Sequence, residues 1–111
     1  MNLLLAQCTP QREPIAAAQL QTWLDQVPGW LPDAEHKLIA RSFRFANFYQ
    51  TMAFVDAVAE LAHAQDHHPE LMVSYAACTV SFSTHSAKGL TINDFICAAQ
   101  VSALPEADQS A

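Results

Sequence analysis

Four of the chain's five histidines, His63, His67, His68 and His85, fall within 23 residues, and His36 is the outsider. Histidine is the side chain whose unperturbed pKa lies closest to neutrality, so a cluster of them can both donate and accept protons at working pH. Pro69 disfavours the α conformation for the residue before it, so a helix arriving from the N-terminal side is finished by His68 and the chain turns there. His85 falls just past the end of a strand, in phase with its polar face. A histidine at a helix end can be merely solvated, or can favourably terminate the helix dipole. A pair at a forced turn, with a third at a neighbouring strand end, points instead to acid/base work.

Other chemistries find less support. His63 and His67 are four apart, and Asp66 and His85 could complete a metal site. However, no carboxylate occupies an HExxH position and the turn at His68-Pro69 aims the adjacent histidines apart, so no metal is expected. No Ser or Cys sits in a nucleophile-elbow context, and Cys78 and Cys97 read as apolar core positions. Gly29 and Gly89 are the only glycines, which excludes a glycine-rich phosphate loop. The third cysteine, Cys8, pairs with neither of the others in a CxxC motif, so neither a disulfide framework nor a zinc-thiolate site is suggested, and a reducing cytosol fits best.

The elements that must hold these histidines can be read from periodicity. Ala16, Leu20, Trp23, Leu24 and Val27 recur at helical steps, predicting a helix from Pro14 to about Gln26, stopped by Pro28-Gly29. Alternation from His36 to Phe45, with Ile39, Arg41, Phe43 and Phe45 on one side, predicts a half-buried strand. Asn47 is the N-cap of a long helix to about Gln65, with Phe48, Met52, Val55, Ala59 and Ala62 along one stripe and Phe54, Val58 and Leu61 beside it. Two strands follow, about Leu71 to Tyr75 and Ala77 to Thr84. Thr91-Ile92-Asn93-Asp94 has the spacing of a capping box opening a third helix to about Ser102, closed by Pro105. Glu106 to Ala111 is assigned no structure, and both tails read as loose.

The joints are too short for helical crossovers, so the expected fold is α+β: an antiparallel sheet of about four strands with three helices packed on one face. At 111 residues the whole chain, 1–111, reads as a single domain with its core at about 14–104. Hydrophobic residues at 51% against 14% charged place it on the globular side of the disorder boundary. Five Lys+Arg against 11 Asp+Glu, net −6, leave no basic footprint for nucleic acid. The run Leu3-Leu4-Leu5 before Cys8 lacks a preceding Lys or Arg and is too short for a signal peptide, and no segment approaches the ~20 apolar residues of a bilayer span. The reading is cytoplasmic.

The string Asp66-His67-His68-Pro69-Glu70, then Tyr75, Thr84-His85, Gly89-Leu90-Thr91 and Asp94, resembles the signature of the pterin-4a-carbinolamine dehydratases. Gly29-Trp30 and Ser42-Phe43-Arg44-Phe45 before Asn47-Phe48 match in order and spacing, so the resemblance covers about Leu20 to Ala103. It implies loss of water from a 4a-hydroxytetrahydropterin to give the quinonoid dihydropterin, without a cofactor, in recycling the pterin of an aromatic amino acid hydroxylase. It also implies that His67 and His85 are the acid/base pair and that His68 chiefly holds the pterin. Trp30, Tyr75, Asp66 and Thr84 are further substrate-binding candidates. For Trp30 a core anchor is an equal alternative, and Tyr75 leans to packing under the sheet. Asp94 reads chiefly as the capping-box acid, while His63 and Pro69 are accessory. His63 stands where the family more often has Glu, and Leu71 where it often has Trp. Members look like dimers or tetramers, so a homodimer or homotetramer is expected. The alternative is a non-catalytic binding role, as in relatives that resemble transcription coactivators or RuBisCO assembly factors.

Overall fold

The computed structural model describes residues 1–109. Its elements are α1 (Leu20–Leu24), β1 (Leu31–Pro32), β2 (Ile39–Arg44), α2 (Phe48–Gln65), β3 (Glu70–Ser74), β4 (Ala77–Phe82) and α3 (Ile92–Ser102). Short 3-10 turns lie at Ala17–Gln19, His85–Ala87 and Pro105–Gln109. The strands form one antiparallel sheet in the order β1-β2-β4-β3, and with three helices the fold is α+β.

Register explains the core. Ile39 faces Phe82, Arg41 faces Val80 and Phe43 faces Cys78, and residues directly opposite share a face of the sheet. Ile39, Phe43, Cys78, Val80 and Phe82 are all buried, whereas Ser42 and Arg44 on the other face are exposed. Phe54 and Val58 of α2 and Phe95 and Ile96 of α3 join them in one cluster. Trp23 brings α1 onto α3, its ring 5.8 Å from Phe95. Phe54 is 0% exposed, with ring centroids 4.6 Å from Phe43 and 5.2 Å from Phe45. Phe54→Ala is therefore expected to cost about 3–5 kcal/mol, read as a lowered urea midpoint at unchanged slope.

Three expectations need correction. The first helix is much shorter than Pro14 to Gln26, because the Ile15 N–H bonds to the Leu90 carbonyl and Ala16 is extended. In α2 the buried stripe is Thr51, Phe54, Val58, Ala62 and Gln65: it keeps the expected Phe54, Val58 and Ala62 but not Phe48 or Ala59, which are exposed. Apolar residues surround most of this helix, so periodicity alone does not fix where the centre of the buried face lies. Two polar residues complete the true stripe: the Thr51 hydroxyl lies 2.9 Å from both the Asn47 and Tyr75 carbonyls, and Gln65 faces the N-terminal arm.

Neither tail is loose as far as it is described. Carboxamides tie down the N-terminal arm: Gln65 Nε2 donates to the Ala6 carbonyl, Gln100 Nε2 to those of Leu3 and Ala6, and Asn93 Nδ2 to that of Thr9. Leu3 is buried. At the other end Pro105–Gln109 forms a 3-10 turn that buries Ala107. Ser110 and Ala111 lie outside the described residues. Among the described residues no helix is long and apolar enough to cross a membrane.

Candidate active site

The end of α2 divides the histidine pair. Asp66 takes the left-handed conformation (φ 50°), and the His67 N–H reaches back to the Ala62 carbonyl at 3.2 Å. This is the six-to-one closure of a Schellman motif. The chain therefore turns at Asp66, three residues before Pro69. His67 folds inward with 12% side-chain exposure, its ring stacked on Phe82 (5.9 Å, 11°). His68 stays exposed, its ring 5.6 Å from that of His63 in an edge-to-face pair.

His67 meets α3 at Asp94. Asp94 is 0% exposed, and its Oδ1 lies 2.6 Å from His67 Nε2. Its other oxygen, Oδ2, accepts from the Thr84 hydroxyl at 2.8 Å and from the Thr91 backbone N–H at 2.9 Å. The Thr91 hydroxyl, 2.8 Å from that of Thr84, completes the chain and accepts from the Asn93 N–H. A carboxylate can only accept, so the His67 nitrogen facing it carries the proton. Nδ1 is then the ring nitrogen left without a protein partner among the described residues. Burial pulls the His67 pKa down, but the bond to Asp94 and its charge outweigh this, and the net shift is upward. Asp94 is thus a capping-box acid and the partner of His67 at once.

His85 opens the 3-10 turn after β4 and is exposed. It lines a cavity of about 330 Å³ with Lys37, Lys88 and Thr84. His67 lines another of about 270 Å³, with Asp66, Thr84, Asn93 and the arm residues Cys8 to Gln11. Thr84 is the residue the two cavities share. His67, Thr84, Asp66 and Asp94 thus come together, and His85 adjoins them across Thr84.

Two substrate-binding candidates lie elsewhere. Trp30 is 2% exposed, its indole N–H donates to Ser102 Oγ at 2.8 Å, and its ring packs on Phe43 and Phe82. It is a core anchor in this fold. Tyr75 sits in the β3–β4 turn, at the opposite end of the sheet from Glu70 and His68. It is 68% exposed and stacks on Phe48 instead of packing under the sheet. Among the described residues no three His, Cys, Asp or Glu side chains form a metal-ligand cluster.

Cys8, Gln65 and Asn93 also wall the His67 cavity, and nothing in the histidine spacing flags them. The available signal was compositional: Gln65 and Asn93 are polar residues on helix faces that turn out buried, and such residues need partners.

Residues 13–104 match the family described as pterin 4 alpha carbinolamine dehydratase. The chain belongs to this family. A protein of Stenotrophomonas maltophilia, whose name assigns it provisionally to the pterin-4-alpha-carbinolamine dehydratases, is 49% identical over 107 residues, covering 94% of this chain and 92% of that one. A similarly named protein of Chromobacterium violaceum is 46% identical, covering 94% and 96%. Among solved structures, a transcriptional coactivator/pterin dehydratase from Brucella melitensis superposes with a TM-score of 0.78 at 30% identity, over 82% of this chain and 97% of that one. A pterin dehydratase-like RuBisCO assembly factor of the alpha-carboxysome shares the fold, with a TM-score of 0.63 at 23% identity, over 77% and 96%. Of the residues that carried the resemblance, His67, Thr84 and Asp94 are the ones the fold gathers into a single hydrogen-bonded unit.

Proposed function

We propose that this dehydratase-family chain removes water from a 4a-hydroxytetrahydropterin, and the buried Asp94–His67 bond carries the reading. The raised pKa keeps His67 protonated closer to neutrality, so Nδ1–H can donate to the 4a hydroxyl as the C4a–O bond breaks. His85 takes the proton from N5 as the C4a–N5 double bond forms. One proton is given and one taken, no electrons leave the substrate, and the exposed His85 resets by exchange with water. The pterin lies across Thr84, between the two cavities, with His68 and Asp66 at its rim. The reaction needs no cofactor, and its biological setting is cytoplasmic recycling of the pterin of an aromatic amino acid hydroxylase.

The test is to follow quinonoid dihydropterin formation from freshly generated 4a-carbinolamine, with a no-protein blank because water is also lost spontaneously. Acceleration proportional to protein concentration is expected. Equal rates with and without protein would overturn the enzyme reading and favour a non-catalytic binding role.

We propose further that the chain works as a homo-oligomer joined through β3. This edge strand leaves one side of its backbone unpaired and exposes Leu71 (37%), Met72 (75%) and Val73 (40%). Uncovered apolar edges of this kind are paired or guarded by charge in stable proteins. Met72→Lys with Val73→Lys is expected to shift the sedimentation coefficient to that of a monomer. An unchanged coefficient would place the interface elsewhere.

A further inference from the structure

A larger cavity, about 530 Å³, shares no lining residue with either histidine cavity. Its walls include Leu3, Leu4, Val27, Pro28 and Ala99, and Arg41 enters it. Alternation along β2 puts Arg41 on the same face as Ile39 and Phe43, the face that carries the core. Its guanidinium is held, not free to wander. The Arg41 Cζ lies 4.6 Å from the Phe43 ring centroid, and Nη1 donates to Ser102 Oγ at 2.9 Å. A Cβ at Gly29, where φ is +91°, would come within 3.1 Å of Arg41 Nε, so the missing side chain there leaves the guanidinium its room.

An arginine has five N–H donors in a rigid planar fork. Among the described residues Arg41 uses one of them, on a hydroxyl that already accepts from Trp30, and no carboxylate stands within ion-pair distance. A fixed guanidinium with donors to spare, in an apolar cavity of ligand size, matches a carboxylate on an apolar body. We infer that this cavity is a second ligand site, taking a small organic acid whose carboxylate pairs with Arg41 and whose apolar body fills the space between the arm and α3. The site is independent of the dehydratase reading.

The full chain, labelled with 15N, is titrated with 3-phenylpropionate and, separately, with the neutral isostere 3-phenylpropan-1-ol. The acid is expected to give saturable shifts at the Arg41 Nε–H and at the Val27, Ala99 and Ser102 amides, and to bind about tenfold or more tightly than the alcohol, as charge-assisted hydrogen bonds require. Arg41→Met should abolish that preference. Ala99→Phe, which keeps Arg41 but fills the cavity, should weaken both ligands. Equal binding of acid and alcohol by the wild type, or shifts centred on His67 or His85, would overturn the proposal, and this comparison needs no variant to fold.

Discussion

His67→Ala is expected to lower the protein-dependent rate of carbinolamine dehydration by about 10²–10⁴-fold, the range for loss of a positioned acid/base group. His67 is the group whose orientation is most fully determined: Phe82 fixes the ring plane, Asp94 fixes one nitrogen, and Nδ1 is the nitrogen that remains. Truncation also strips the buried Asp94 of one of its three hydrogen-bonding partners, so some loss of stability accompanies the loss of rate. His67→Gln separates the two effects, since its amide N–H can still reach Asp94 but cannot deliver a proton. It should stay closer to wild type in urea midpoint and remain as inactive as the alanine variant. His85→Ala, at an exposed site, should lose rate with little change in midpoint. A His67→Gln protein with near-wild-type turnover would remove His67 from the chemistry.

Much of the frame that carries His67 was legible in the sequence because local chemistry coincides with tertiary need. Asn47 caps α2 through its bond to the Gln50 N–H, and the Thr91–Asp94 spacing opens α3 as expected. Pro69 announced a break after the long helix. The break itself comes at Asp66, whose left-handed conformation no spacing rule demanded. β1 is two residues long, too short to show alternation, and exists only because Leu31 and Pro32 can pair with Ala40 and Ile39. The order of the N-terminal arm is hidden from sequence periodicity for the same kind of reason. Its order comes from carboxamides 57 to 97 residues away in sequence, and such contacts leave no periodic trace.

Asp94 shows most clearly how one residue can satisfy a local rule and still serve the site. The capping box accounts for its bond to the Thr91 N–H, and so made a structural role a sufficient reading. The fold adds what sequence spacing could not: the Schellman turn at Asp66 brings His67 back onto the carboxylate's other oxygen.

Asp94→Asn tests that dual role, with an expected loss of dehydration rate of about 10²-fold or more. The amide oxygen can still accept from Thr84 and Thr91, which places the amide NH₂ toward His67. An NH₂ group can only donate, so Nε2 must present its lone pair and the ring proton moves to Nδ1. His67 is then a neutral imidazole with Nδ1–H outward, unable to accept a proton there and far too weak an acid to give one up. Stability should report the same change through its pH dependence. In the wild type the folded pKa of His67 is raised above its unfolded value of 6.5. Its contribution is therefore fully present below about pH 6.5 and is lost as pH rises through the folded value. In Asp94→Asn the two largest influences that raise the pKa, the bond to Asp94 and its charge, are gone, while burial, the largest single cause, is opposed only by the smaller effects of Cys8 and Asp66. The folded value is therefore expected to fall below the unfolded one, and the contribution is instead lost as pH falls. Urea unfolding from pH 5 to 8 should show the His67-linked slope change sign between the two proteins, each slope bounded by about 1.4 kcal/mol per pH unit for one proton. Parallel pH profiles would mean that Asp94 acts on α3 alone and that the charge on His67 is set by something else.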